Sequence, residues 1–187
     1  MQNSKTKIIA ECAILIALGT VLAQIKLYRM PSGGSVTAAS MVPFIIIAYR
    51  CGTRWGLLAS VANVLLQMLL GGIYPPIAPG VLGYAGEILF DYFLAYMVLG
   101  LSKSFAKPLL KKNKAAAILV STLLICVIRF LCAFISGFLI WGSIVSDGIG
   151  AVIYSLSYNA SYMIPETAIT CAAALALYKI YPAAYKL

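Results

Sequence analysis

Six predominantly apolar runs leave this chain little choice of solvent. They cover roughly Ile8–Leu27, Val36–Tyr49, Trp55–Leu70, Val81–Leu101, Ala115–Ile140 and Ala151–Tyr178, with polar or Gly/Pro-rich segments between them. A transmembrane helix needs about 20 mostly apolar residues, and all but the second run come close to or exceed that length. The second is short and is expected to tilt, to cross a thinned region or to draw on the preceding loop. Charged residues make up 10% of the chain and apolar ones 63%, against about a quarter charged in an ordinary soluble domain. A soluble fold with this composition would expose large apolar patches, which soluble monomers rarely do. The expected fold is therefore all-α: one membrane domain over residues 1–187, built as a bundle of six transmembrane helices. MQNSKTK resembles the start of a signal peptide, but no small-residue cleavage site follows, so it is read as part of the bundle.

The formal net charge of +9 marks topology rather than nucleic-acid binding, because the basic residues sit at the ends of apolar runs instead of along one face. Lys5, Lys7, Arg50, Arg54, Lys103, Lys107, Lys111, Lys112, Lys114, Lys179 and Lys186 fall on one side of the bundle, and only Lys26 and Arg29 on the other. The positive-inside rule then places both termini and the Lys103–Lys114 connection in the cytoplasm. The segments 28–35, 71–80 and 141–150 lie outside. These outer segments are rich in Gly, Pro and aromatic residues, which suits either plain turns or the cap of an outward-facing cavity.

Catalytic motifs are missing. The chain has no His, no P-loop, no HExxH and no CxxC, so neither a catalytic residue set, a metal site nor a cofactor is expected. Cys12, Cys51, Cys126, Cys132 and Cys171 read as helix-packing residues.

The informative residues are polar groups inside apolar runs, which are costly in lipid and usually face a cavity or a partner. Glu87 and Asp91 are four apart in the fourth run and share a helix face, near Tyr84, Tyr92 and Tyr96. Carboxylates beside aromatic rings suit an organic cation; equally, Asp91 could form a structural ion pair with Arg129 of the fifth run. Tyr154, Tyr158 and Tyr162 form an i, i+4 stripe with Asn159 beside it, which is either an interfacial aromatic belt or a binding wall. Glu166 adds another intramembrane acid, expected to bond within the bundle. In the first run, Ala13 and Ala17 form a small-xxx-small element that lets a second helix approach closely.

Taken together, MPSGGSVTAASMVPF, FDYFLAY, FISGFLIWGS and YSLSYNASYMIP resemble the substrate-binding S components of energy-coupling factor vitamin transporters, most closely the thiamine-specific members. The resemblance covers nearly the whole chain. It implies a subunit that captures thiamine at high affinity from outside and associates with a transmembrane coupling subunit and two cytoplasmic ATPases. Ligand contacts are implied at Asp91, Tyr92, Trp141, Tyr154 and Asn159, a cover at Tyr74 and the 28–35 loop, and docking of the coupling subunit at Ala13 and Ala17. Two departures stand out. Ala133 occupies the place of a family His, eight residues before Trp141, and GGSVTAAS lacks an acid and a Trp that some members carry there. Glu87 or Glu166 is expected to compensate. The alternatives are an S component for a thiamine precursor or another small vitamin, and a structural membrane subunit.

Overall fold

The apolar runs fold as helices because a helix satisfies its own backbone hydrogen bonds, as any segment crossing hydrocarbon must. The computed structural model describes residues 2–74, 80–141 and 148–186; the side chains of residues 2–4 and of Trp141 lie outside the described set. The helices are α1 (Gln2–Gln24), α2 (Val42–Cys51), α3 (Thr53–Gly71), α4 (Val81–Leu110), α5 (Lys114–Ser136, continued by a wide turn over Gly137–Trp141) and α6 (Ile149–Ile180). Five are long and apolar enough to cross a membrane, and α2 is a sixth, shorter apolar helix.

The second helix is shorter than the sequence suggests. Residues 36–41 do not join it. Val36 and Thr37 belong to an antiparallel hairpin of β1 (Lys26–Arg29) and β2 (Ser35–Thr37), which pairs Lys26 with Thr37, Tyr28 with Val36 and Arg29 with Ser35, and residues 38–41 form the turn that follows. The helix starts only at Val42, where Pro43 in the first turn carries no N–H that would need a partner. The Gly33-Gly34 pair makes the reversal possible. Both residues have positive φ, and a Cβ on Gly34 would stand 2.7 Å from the Tyr162 ring.

At ten residues, α2 is only about 15 Å long, half of a hydrocarbon core. Val42 through Tyr49 are buried inside the protein, as are Val36, Thr37, Ser40 and Met41 of the non-helical backbone before them, and irregular backbone in a membrane protein needs such cover. That backbone is satisfied by an acid from another helix. Glu166 of α6 accepts from Thr37 N at 2.6 Å and from Thr37 Oγ1 at 2.7 Å. The expectation that Glu166 bonds within the bundle holds, and its partner is the hairpin.

The fourth helix also departs from expectation. It continues nine residues past Leu101 as Ser102–Leu110, burying Ser102 and Ala106, with Lys103 half-buried and Lys107 exposed. Asn113 caps α5 by accepting from Ala116 N at 3.0 Å. At this end the polar groups are closed on one another: Arg50 binds Glu11 at 2.6 Å and Ala183 O at 2.8 Å, and Lys103 donates to Tyr49 O and Lys186 O. Tyr185, 3% exposed, packs edge-on against Tyr49 and donates to Ala174 O.

Candidate functional site

At the opposite end of the bundle, the hairpin, the last turn of α3 and the facing sides of α4, α5 and α6 enclose a cavity of about 500 Å³, within the range of small-molecule sites. Two helices are locally unwound where they meet it. Ile88–Leu94 of α4 and Gly137–Trp141 of α5 run as π-helix, a form that concentrates at functional sites. The first of these carries Asp91 and Tyr92. Its wider turn rotates Asp91 relative to Glu87, yet both side chains still line the cavity.

Asp91 accepts a hydrogen bond from Ser136 Oγ at 2.5 Å, which fixes the carboxylate against α5. The expected alternative, an Asp91–Arg129 ion pair, does not form. Arg129 instead donates to Tyr96 Oη at 2.8 Å and to Met41 Sδ, and its guanidinium lies 4.2 Å from the centroid of the Tyr96 ring. Among the described residues, the ion pair present is Glu11–Arg50, at the other end of the bundle. Glu87 is 2% exposed, and its Oε2 has no hydrogen-bond partner among the described residues.

The α6 wall is aromatic. Tyr154 stacks on Tyr158 with centroids 5.7 Å apart, and Tyr158 meets Tyr162 edge-on at 6.3 Å. Asn159 anchors this wall to α5: Nδ2 donates to Ala133 O and Ser155 O, and Oδ1 accepts from Tyr162 Oη. The approach is close because residue 137 is glycine. A Cβ there would lie 2.4 Å from Ser155 Oγ and 2.9 Å from Asn159 Nδ2. The hairpin is tied over the cavity from two sides. Tyr158 Oη accepts from Ser32 N at 2.9 Å and donates to Gly33 O at 2.8 Å, and Tyr74 Oη donates to Pro31 O at 3.0 Å.

The sequence profile of the thiamine transporter protein family (Thia_YuaJ) matches residues 9–186. The chain belongs to this family. It is 32% identical to the thiamine transporter ThiT of Bacillus subtilis (strain 168), over 95% of this chain and 93% of that one. Its fold matches that of ThiT from Listeria monocytogenes with a TM-score of 0.74 at 24% identity, covering 97% and 98% of the two chains. It also matches the structure described as the S component of a bacterial ECF transporter, with a TM-score of 0.67 at 15% identity over 96% and 97%. As a member of the thiamine transporter family with this set of apolar helices, the chain is a multi-pass cell-membrane protein.

Within this family member, Glu87, Asp91, Tyr92, Tyr154, Asn159 and Tyr74 all line one cavity, whereas the Trp141 side chain lies outside the described residues. Ala133 forms part of the wall between α5 and Asn159. Ala13 and Ala17 do not line the cavity; they sit on a face of α1 that is exposed together with Ile14 and Leu18. Sequence reasoning missed Ser136 and the hairpin-tying role of Tyr158. The signal for Ser136 was a small polar residue inside the apolar run of α5; Tyr158 carried none beyond its place in the tyrosine stripe.

Proposed function

We infer that this chain is the thiamine-capturing S component of an energy-coupling factor importer. The observation that carries the reading is the cavity itself, where the half-buried carboxylate of Asp91, held by Ser136, lines the same space as Tyr92, Tyr96 and Tyr154 in a chain of the thiamine transporter family. Thiamine combines a permanently charged thiazolium with an aminopyrimidine. Asp91 offsets the charge and accepts from polar hydrogens, the tyrosine rings add quadrupole attraction, and Trp141 stacks on an aromatic ring of the guest. Asn159 Oδ1 uses one lone pair on Tyr162 and keeps a second for the pyrimidine edge. Tyr74 and the hairpin cover the occupied site.

The distribution of basic residues supports an orientation with both termini in the cytoplasm and the cavity facing outside. Uptake energy then comes from two cytoplasmic ATPases through a transmembrane coupling subunit that docks on the Ala13 and Ala17 face of α1, while this chain catalyses nothing. Ala13→Trp or Ala17→Trp is expected to abolish thiamine uptake in cells and leave binding by the purified chain unchanged; normal uptake by both variants removes the docking assignment.

The binding reading is tested by tryptophan fluorescence of the purified chain in detergent, titrated with thiamine, its separate pyrimidine and thiazole halves, and riboflavin. Saturable quenching by thiamine at low concentration supports it. A response to the pyrimidine half alone makes a thiamine precursor the ligand, and no response to thiamine or its halves discards the reading.

A further inference from the structure

Three carboxylates line the cavity, and they differ in what holds them. Glu166 is engaged by the Thr37 backbone and hydroxyl, and Asp91 by Ser136. Glu87 is as deeply buried as Glu166, yet its Oε2 touches no donor among the described residues. Buried polar atoms are almost always hydrogen-bonded, and a carboxylate oxygen left bare is costly. The charged group acting on Glu87 is Asp91, one turn further along α4 and of the same sign. The nearby cation is already committed: Arg129 is bound to Tyr96 and Met41. Lys26 and Arg29 border the cavity on the hairpin, and neither forms an ion pair with Glu87 or Asp91.

We propose that Glu87 is a specificity-determining residue, a second carboxylate whose unpartnered oxygen and proximity to Asp91 make the cavity selective for a guest bearing a permanent positive charge. The inference rests on the thiamine reading and deepens it. Glu87 and Asp91 face the same space, and a neutral guest of the same shape leaves Glu87 Oε2 without a partner. A cation placed between the two acids gives Glu87 the counter-charge it lacks. Charge selection in this chain is therefore shared between two residues, whereas Asp91 alone also serves as a hydrogen-bond acceptor held in place by α5.

The test uses calorimetric titration of the purified full chain with two guests: thiamine, and the neutral isostere in which a thiophene ring replaces the thiazolium. Glu87→Gln is expected to weaken thiamine about tenfold while changing affinity for the neutral isostere less than twofold, so that preference for the cation collapses. Glu87→Asp, which keeps the charge, is expected to retain most of that preference, and unchanged binding of the neutral guest shows that the glutamine variant is folded. Thiamine affinity within twofold of the parent in Glu87→Gln overturns the inference and leaves the thiamine reading standing. Equal losses for both guests also overturn it, because Glu87 then acts through shape or hydrogen bonding. A parent protein that binds neither guest overturns the thiamine reading, and the role of Glu87 falls with it.

Discussion

The two ends of this bundle treat charge in opposite ways. At the end where the C-terminal segment folds back, Glu11 binds Arg50, Arg50 also binds Ala183 O, and Lys103 is held between Tyr49 O and Lys186 O. Polar groups there complete one another and tie α1, α2, α4 and the C-terminal residues into one unit. At the cavity end, Asp91 has a single hydroxyl partner, Glu87 has a bare oxygen, and Arg129 rests on an aromatic ring rather than on either acid. Intramembrane charges that decline to pair with one another are costly to keep. The difference separates a structural base from a receptive mouth.

The largest test of that division removes the acid assigned to the ligand. Asp91→Asn keeps the shape and one acceptor oxygen but loses the charge. Charge-assisted hydrogen bonds contribute roughly 1.5–3 kcal/mol, so thiamine affinity is expected to fall on the order of 100-fold by titration calorimetry. Stability should not suffer, since Ser136 can still donate to the amide oxygen. A change of less than threefold would mean that Asp91 is as structural as the groups at the other end, and the contrast would fail.

Much of this arrangement was legible in the sequence, for uneven reasons. Long apolar runs and lopsided basic residues carry their meaning locally, so six helices were recognisable from composition and length, the second with its start six residues too early. The acids and tyrosines could be nominated because polar groups in hydrocarbon require a reason. Their partners could not, since Asp91 meets Ser136 across 45 positions and Thr37 meets Glu166 across 129. The hairpin was hidden for a related reason. Val36 and Thr37 read as the start of an apolar helix, and pairing with β1 together with the distant Glu166 makes an extended backbone tolerable there. The π-helical turns around Asp91 and Trp141 likewise follow from tertiary packing, not from any residue that announces them.

A smaller effect is expected at the cover of the mouth. Tyr158 Oη makes two hydrogen bonds to the hairpin tip, at Ser32 N and Gly33 O, each contributing on the order of 1 kcal/mol. Tyr158→Phe keeps the ring stacked on Tyr154 and removes only the tether. Stopped-flow fluorescence should show thiamine leaving about tenfold faster with the association rate nearly unchanged, because a released hairpin opens more often but does not reshape the cavity. An unchanged dissociation rate would make the hairpin a fixed rim, held by Glu166 and Tyr74 without help from Tyr158.

The smallest expected effect lies at the structural base and checks the comparison from the other side. Arg50 and Glu11 are in contact at 2.6 Å with side chains about a fifth exposed, at 20% and 23%. Partial exposure screens the pair, which limits its contribution to about 1 kcal/mol. Arg50→Gln also weakens the hold on Ala183 O, so the apparent melting temperature in detergent should drop by a few degrees. Thiamine affinity should stay within twofold, because no residue of this cluster reaches the cavity. A substantial loss of binding in Arg50→Gln would show that the base sets the geometry of the mouth through α1 and α2. The two ends would then be one coupled device, in which occupancy of the cavity is communicated to the same helix that bears Ala13 and Ala17.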